Sequence, residues 1–232
     1  MNGERNGTGK EYYDDGELKF EGEYLNGERW NGKGKEYKHG VLRFEGVYSN
    51  GKRNGIGKEY DLEGNLIFKG EYLNGKRNGK VKEYFFNNLI YDGEYLNEQR
   101  NGKGKEYDVY GNLIFEGEYL NGQRNGKGKE YKYGKLIFEG EYKSGERWNG
   151  KGKEYKYGQL IFEGQYENGQ RNGPGKEYNN NGLIFEDAYS NGIGKVYKNN
   201  NKLFFEGEYL NGERRRGKEY RNNKIYLIWE KF

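Results

Sequence analysis

The sequence predicts an all-β protein built as an array of successive antiparallel β-hairpins, with about 20 strands. The first reason is a repeat: an aromatic residue opens each Phe-Glu-Gly-Glu-Tyr-like block and recurs every 20 to 24 residues, at Phe20, Phe44, Phe68, Tyr91, Phe115, Phe138, Phe162, Phe185 and Phe205. The second is the alternation of aromatic and charged residues inside each block, which is typical of a β-strand. The third is the Asn-Gly dipeptide after most blocks, since this pair favours a tight hairpin turn.

The composition is unusually polar for a folded chain. Of the 232 residues, 31% are hydrophobic and 34% are charged. Such a composition favours disorder, because too little apolar surface is available to offset the entropy lost on folding. Against disorder stand 17% aromatic residues, 41 glycines and a single proline. With the repeat, these features indicate a folded array that has a thin core of aromatic rings.

The repeat runs through the whole chain and leaves no room for a second domain. We therefore predict one array over residues 1–232, with about nine repeats of 23–24 residues and a C-terminal cap strand at 221–232. Such an array is stabilised mainly by contacts between neighbouring repeats. At about 4.8 Å per strand, 20 strands would give a sheet on the order of 95 Å long.

One repeat illustrates the predicted hairpin. In residues 113–119 the alternation places Phe115, Gly117 and Tyr119 on one face of a strand. A turn of four residues at 121–124 would then bring a return strand alongside. In that register Gly117 lies opposite a second glycine, and each neighbouring glutamate meets a lysine on the other face; these pairs are Gly117–Gly128, Glu116–Lys129 and Glu118–Lys127.

The paired glycines have two explanations that the sequence leaves open. As strand residues, they would form a floor without side chains, on which aromatic rings of neighbouring hairpins can lie. Alternatively, they are turn residues. Their constant phase with the aromatic residues favours the floor.

Charge and residue types exclude several classes of function. The 41 Lys+Arg residues nearly balance 37 Asp+Glu residues and are interleaved with them, so we predict no nucleic-acid binding. The one dense cationic run is 214–216. With no cysteine and only one histidine, His39, we predict no catalytic site, no metal site and no cofactor. The sequence shows neither a signal peptide nor an apolar stretch long enough to span a membrane, so we expect a soluble cytoplasmic protein.

Three irregular regions depart from the repeat. Trp30 and Trp148 are inserted at equivalent predicted turn tips, where they are candidates either for contacts with a partner or for covering a neighbouring repeat. In the eighth repeat Asp187 replaces a glycine and the hairpin is shortened. The C-terminal segment is the most apolar of the chain, and we predict that it caps the sheet or forms a homodimer surface; its residues are Ile225, Tyr226, Leu227, Ile228, Trp229 and Phe232.

The pattern of an aromatic, Glu and Gly, a second aromatic, an Asn-Gly-like turn and Gly-x-Gly resembles the MORN repeat family (membrane occupation and recognition nexus). The resemblance covers essentially the whole chain, with nine consecutive copies. This chain departs from the family in having Tyr where the second aromatic is usually Trp. The resemblance implies an elongated, twisted single-layer sheet of hairpins that acts as a scaffold or adaptor, often as a homodimer.

From these observations we predict a non-catalytic scaffold that binds other proteins or itself through an aromatic and Glu-rich sheet face. Tyrosine suits recognition because it offers a large rigid ring and a hydroxyl. The candidate face consists of Tyr24, Tyr48, Tyr72, Tyr95, Tyr119, Tyr142, Tyr166, Tyr189 and Tyr209. The alternative is a peripheral membrane module that binds phosphoinositide headgroups.

Overall fold

The computed structural model describes residues 4–180, 182–188, 192–198, 201–210 and 213–230. These residues form 21 β-strands and no helix, which confirms the predicted all-β hairpin array. Two of the predicted site residues, Tyr189 and Phe232, lie outside the described residues, as does the side chain of Trp229.

The chain divides into two compact units, residues 1–123 and 124–232. The first unit holds eleven strands: β1 (Gly7–Tyr12), β2 (Leu18–Leu25), β3 (Glu28–Arg29), β4 (Gly32–Lys38), β5 (Val41–Ser49), β6 (Lys52–Tyr60), β7 (Leu66–Leu73), β8 (Lys76–Phe85), β9 (Asn88–Leu96), β10 (Gln99–Tyr107) and β11 (Leu113–Leu120). The second unit holds ten: β12 (Gln123–Lys132), β13 (Lys135–Lys143), β14 (Glu146–Lys156), β15 (Gln159–Glu167), β16 (Gln170–Asn179), β17 (Gly182–Ala188), β18 (Gly192–Lys198), β19 (Lys202–Leu210), β20 (Glu213–Arg221) and β21 (Lys224–Glu230).

Within each unit, consecutive strands pair antiparallel along the chain. Glycine lies opposite glycine, as predicted: Gly46 pairs with Gly34 of the preceding strand and with Gly57 of the following one. Two positions keep the register without a glycine: Val81 lies opposite Gly70, and in the eighth repeat Asp187 lies opposite Gly175 and Gly194. The backbone register therefore survives the replacement of either glycine.

The tight turns are shorter than the four residues predicted. Between β5 and β6 the turn consists of Asn50 and Gly51 alone, with φ angles of 50° and 73°. Positive φ at both positions defines a type I′ turn, whose twist matches that of the flanking strands. The extra residues of β6 form a bulge instead, with Gly55 at a φ of 91°. The prediction missed this because a bulge absorbs residues without lengthening the turn.

The bulge determines which side chains meet. It brings Arg53 directly opposite Tyr48, while Gly57 still lies opposite Gly46. Of the two predicted kinds of Glu–Lys pair across this hairpin, the one equivalent to Glu116–Lys129 is present as Glu45–Lys58. The positions equivalent to Glu118 and Lys127 hold Val47 and Ile56 in this hairpin, so it cannot form the second pair; in β19–β20 the same positions do pair, as Glu208 and Arg216.

The opposite ends of the strands carry a second set of turns. Some have two residues, such as Tyr133–Gly134 and Tyr157–Gly158, with both tyrosine rings exposed. Others are longer and are held by an aspartate: the Asp61 carboxylate accepts from the backbone nitrogen atoms of Glu63 and Asn65 at 2.9 and 2.8 Å. These two turn types explain why the spacing of the repeat alternates.

The core is one layer of aromatic rings lying on glycine. Phe44 has no exposed surface, and a Cβ built at Gly57 would lie 2.6 Å from its Cε2. The same ring meets Tyr48 and Tyr72 edge to face, with centroids 5.8 and 5.3 Å apart. The glycines on the strands thus form the predicted floor, while others, such as Gly51, are turn residues. Equivalent fully buried rings are Phe20, Phe68, Tyr91, Phe115, Phe138, Phe162 and Phe205.

Candidate functional site

On the aromatic face, an arginine of the next strand covers most of the block rings. The guanidinium carbon of Arg53 lies 3.9 Å from the centre of the Phe44 ring. Its nitrogens donate to Glu36 at 2.8 Å and to Glu59 at 3.3 Å. Ring faces attract guanidinium groups, and the carboxylates bind the remaining N–H donors. The same stacking occurs at Arg29, Arg77, Arg100, Arg147, Arg171 and Arg214.

The glutamate of most Lys-Glu-Tyr motifs links one repeat to the next. Glu59 accepts a hydrogen bond from the Tyr72 hydroxyl at 2.6 Å and others from Arg77 and Arg53. Its side chain is only 15% exposed. We call these arginines and glutamates the Arg–Glu ladder; its other glutamates include Glu36, Glu83, Glu130 and Glu154. Sequence reasoning missed this ladder, although the arginine recurs at the same place in nearly every repeat.

The ladder changes what the nine predicted tyrosines can offer a partner. The rings of Tyr24, Tyr48, Tyr72, Tyr119 and Tyr142 are only 3–5% exposed, and those of Tyr95, Tyr166 and Tyr209 are half-buried. Several of the hydroxyls are bound to ladder glutamates, as in Tyr95–Glu83 at 2.7 Å. A partner on this face would therefore meet the Arg–Glu ladder rather than aromatic rings. That the face binds a partner stays a prediction.

The ladder makes stability dependent on pH at both extremes. Burial alone would raise the pKa of Glu59, but hydrogen bonds from Arg77 and Tyr72 outweigh it and hold that pKa below the ordinary value. Burial, together with the hydrogen bond to Glu83, raises the pKa of Tyr95 to about 12. Burial and the bond to Glu154 likewise raise the pKa of Tyr166 to about 12.

We expect the free energy of unfolding to be highest between about pH 5 and 9. Below about pH 4.3 glutamates of the unfolded chain take up protons before Glu59 and Glu83 of the folded chain do, so stability falls. Above about pH 10 tyrosines of the unfolded chain lose protons that the folded chain keeps, so stability falls again. Urea unfolding, followed by fluorescence at constant salt, measures the loss of stability at low pH and at high pH. Equal urea midpoints at pH 3 and pH 7 would contradict the contribution of the ladder glutamates to stability.

The face opposite to the aromatic one carries lysine and glutamate in cross-strand pairs. In the first unit Lys58 Nζ lies 2.8 Å from Glu45, and Lys105 Nζ lies 3.4 Å from Glu116. Tyr60 also donates to Glu45, at 2.8 Å. We call this the Lys–Glu face. Exposed pairs of this kind contribute up to about 1 kcal/mol each. Pairs in the second unit are Lys129–Glu139, Lys153–Glu163 and Lys176–Glu186.

A groove of about 830 Å³ crosses the Lys–Glu face of the first unit, from β1 to β6. Glycine backbone lines its floor, and its walls carry both charges. Two apolar side chains, Val47 and Ile56, line it as well. This groove therefore offers both charged and apolar contacts.

The two inserted tryptophans do not stand at turn tips. Trp148 lies within β14, half-buried, with Lys143 Nζ 4.3 Å from the centre of its ring system. Its backbone carbonyl accepts from Gly169 of the next tight turn at 3.0 Å. Trp30 is also half-buried and lies between β3 and β4, where its nitrogen donates to the Glu23 carbonyl at 2.8 Å. These contacts favour the covering role over the exposed one, and partner binding by either ring stays a prediction.

The segment predicted to cap the sheet, 221–232, contains β21, which pairs with β20; that it acts as a cap stays a prediction. Ile225, Tyr226, Leu227 and Ile228 are all exposed by 45–69%. Since successive side chains of a strand point to opposite faces, β21 presents apolar surface on both. Among the described residues, it is the strand that exposes the most consecutive apolar side chains.

The remaining positions singled out in the sequence are accounted for locally. His39 is the exposed first residue of a two-residue turn, at a φ of 52°. In the cationic run, Arg214 stacks on Phe205 at 4.2 Å as part of the Arg–Glu ladder, and Arg216 pairs with Glu208. Across the described ranges, no cluster of three or more acidic, histidine or cysteine side chains is arranged to hold a metal ion. In the same ranges no helix could cross a membrane.

The pairing, the glycine floor and the recurring ladder define a β-hairpin repeat protein. The MORN repeat model matches residues 1–17, 44–64, 68–88, 91–109, 115–134 and 162–184, more than half of the chain. The chain therefore belongs to the MORN repeat family, as its sequence pattern indicated. MORN repeats are generally scaffolds for interactions with proteins or membranes. No curated protein matches the chain.

Proposed function

We propose that the protein is a non-catalytic cytoplasmic scaffold for protein–protein interaction that associates with itself through β21. The observation that carries the proposal is the apolar surface of this strand. Leu227 occupies the position of a block aromatic, yet it is 45% exposed, whereas Phe205, at that position in β19, has no exposed surface. Phe205 of β19 is covered by the following strand, β20. A strand alongside β21 would cover Leu227 in the same way.

A second copy of β21 is the occupant that fits best. Strand edges with exposed apolar residues are templates for pairing with another chain. Antiparallel pairing of two β21 strands would place the same residues on both sides of a twofold axis, as a symmetric dimer requires. A persistent dimer needs about 1,000 Å² of buried surface, to which both apolar faces of β21 would contribute.

The other candidate surfaces have less support. On the aromatic face, the Arg–Glu ladder binds most of its own polar groups, so that a partner would have to displace internal bonds. For the alternative of a phosphoinositide-binding module, the lysines of the Lys–Glu face would have to attract headgroups. Many of them are already paired with glutamate across the strands, which leaves little cationic excess.

Light scattering coupled to size-exclusion chromatography tests self-association on the full chain. We expect a dimer that dissociates on dilution and becomes monomeric in the Ile228→Lys variant, with unchanged circular dichroism. Ile193→Lys is the matched control, because Ile193 is a similarly exposed isoleucine on another strand, β18, and this variant should stay dimeric. A monomeric wild-type chain at about 100 μM, a concentration at which even weak micromolar dimers form, would refute self-association.

A further inference from the structure

One repeat breaks the charge pattern of the Lys–Glu face. The residue that follows the block aromatic is acidic in eight of the nine repeats, and in the third it is Lys69. Lys69 lies on β7, directly opposite Lys58 of β6 and Lys82 of β8. Three lysines therefore stand side by side across three adjacent strands, about 10 Å from first to last at the usual strand spacing.

The outer two lysines are paired, and the central one is not. Lys58 binds Glu45 at 2.8 Å, and Lys82 binds Asp92 at 3.0 Å. Among the described residues Lys69 makes no ion pair and is exposed. Like charges directly opposite each other on a sheet destabilise it. The chain thus keeps an unfavourable residue where its own repeat supplies a favourable one, and such departures are expected at binding sites.

Further departures lie next to this cluster. Val47 replaces the glutamate found at that position in most repeats, and Ile56 replaces the usual lysine; Ile56 is 53% exposed. Both line the groove of the first unit, together with Lys58. Arg43 replaces an isoleucine present in six of the nine repeats, and its Nη1 is buried without a hydrogen-bond partner in the described structure. Apolar and cationic replacements are therefore gathered on strands β5 to β7.

We propose that this region binds an extended acidic peptide segment of a partner protein. Carboxylates of the peptide pair with Lys69 and share Lys58 and Lys82, while an apolar side chain of the peptide lies against Ile56 and Val47 in the groove. The proposal rests on the scaffold function given above and names one of its partner sites.

The geometry favours a peptide over a membrane surface. The cationic cluster is only three residues wide and is flanked by Glu45 and Asp92, whereas recognition of anionic lipid surfaces uses larger basic clusters. The adjoining groove has the size and the mixed lining that suit a chain segment. In an extended peptide, alternate side chains on one side are spaced about 6.6–6.8 Å apart, within reach of the flexible lysines.

Fluorescence anisotropy with a labelled decapeptide of alternating glutamate and valine tests the proposal. We expect the wild-type chain to bind this peptide and not the matched peptide of alternating lysine and valine. Lys69→Glu, which restores the repeat, should weaken binding at least tenfold while leaving the thermal midpoint unchanged or higher. Lys135→Glu makes the same charge change on the second unit and should bind like the wild type.

The outcomes separate this site from self-association and from lipid binding. The Ile228→Lys variant should keep its affinity for the peptide even when it is monomeric, so either proposal can fail alone. Equal peptide binding by the wild type and Lys69→Glu, or no binding by the wild type, would overturn the proposal. Sedimentation with phosphoinositide-containing vesicles that depends on Lys69, without peptide binding, would overturn it in favour of a membrane site.

Discussion

Phe44→Ala is expected to lower the free energy of unfolding by about 3–5 kcal/mol, the usual cost of removing a buried aromatic ring. Phe44 has no exposed surface and fills the space above Gly46 and Gly57. Neither glycine has a side chain that could move into the cavity. Its edge-to-face contacts with Tyr48 and Tyr72 would also be lost. Denaturant unfolding monitored by circular dichroism measures the change.

The matched control for this variant is Leu62→Ala, which removes an apolar side chain that is mostly exposed in a turn of the same unit. We expect this change to stay within about 0.5 kcal/mol, as is usual for surface positions. If Phe44→Ala cost less than about 1 kcal/mol, a typical average for all point mutations, the glycine floor would not be the core of the repeat.

Glu59→Gln is expected to cost about 2–3 kcal/mol, since hydrogen bonds to a charged group contribute more than neutral ones and their loss leaves charges unbalanced. The carboxylate serves Tyr72, Arg77 and Arg53 at once and is only 15% exposed. The amide has nearly the same shape but loses one acceptor oxygen and the negative charge. The guanidinium groups of Arg53 and Arg77 would then lack part of the negative charge that balances their own.

Urea unfolding of Glu59→Gln at pH 7 measures this effect, and Glu28→Gln is the control because Glu28 is exposed on the short strand β3. The difference between Glu59→Gln and the wild type should shrink at pH 3, because there the unfolded wild-type chain takes up a proton at Glu59 that the folded chain, with its lowered pKa, resists. A difference that is the same at both pH values would show that the charge of Glu59 is not what stabilises the ladder.

The sequence was sufficient for the parts of the fold that depend on period and residue size. The ring of Phe115 and the glycine at 117 recur in nearly constant phase, since a glycine lets a buried ring approach the backbone closely; Val81 is an exception on the return strand. That relation predicted strands, faces and the glycine register without knowledge of the turns. It held even at Asp187, since backbone pairing does not depend on one side chain.

What the sequence did not predict was the path of the chain between the hairpin turn and the glycine of the return strand. Whether Asn121 to Arg124 forms one long turn or a short turn followed by a bulge cannot be decided from residue types, because Asn and Gly suit both. The length of the turn determines where the arginine of the repeat lies. In a four-residue turn the arginine would be in solvent. After a two-residue turn it lies over an aromatic ring, as Arg53 does.

The same uncertainty affected the predicted site. Counting along the strand places the tyrosines on the aromatic face, but their exposure depends on what the next strand lays over them. Tyr72, for example, is covered because its hydroxyl and Arg77 both bind Glu59. This arrangement joins three strands and follows from no single segment of sequence.

The side-chain hydrogen bonds that join neighbouring repeats span short stretches of sequence, such as 24 residues from Tyr13 to Tyr37 and 17 from Glu36 to Arg53. A strand emerging from the ribosome therefore finds its partners in the segment made just before it. With so few distant contacts to wait for, each new hairpin can settle onto its predecessor during translation at roughly 5–20 residues per second. The chain would then fold progressively as it is synthesised, one repeat every few seconds.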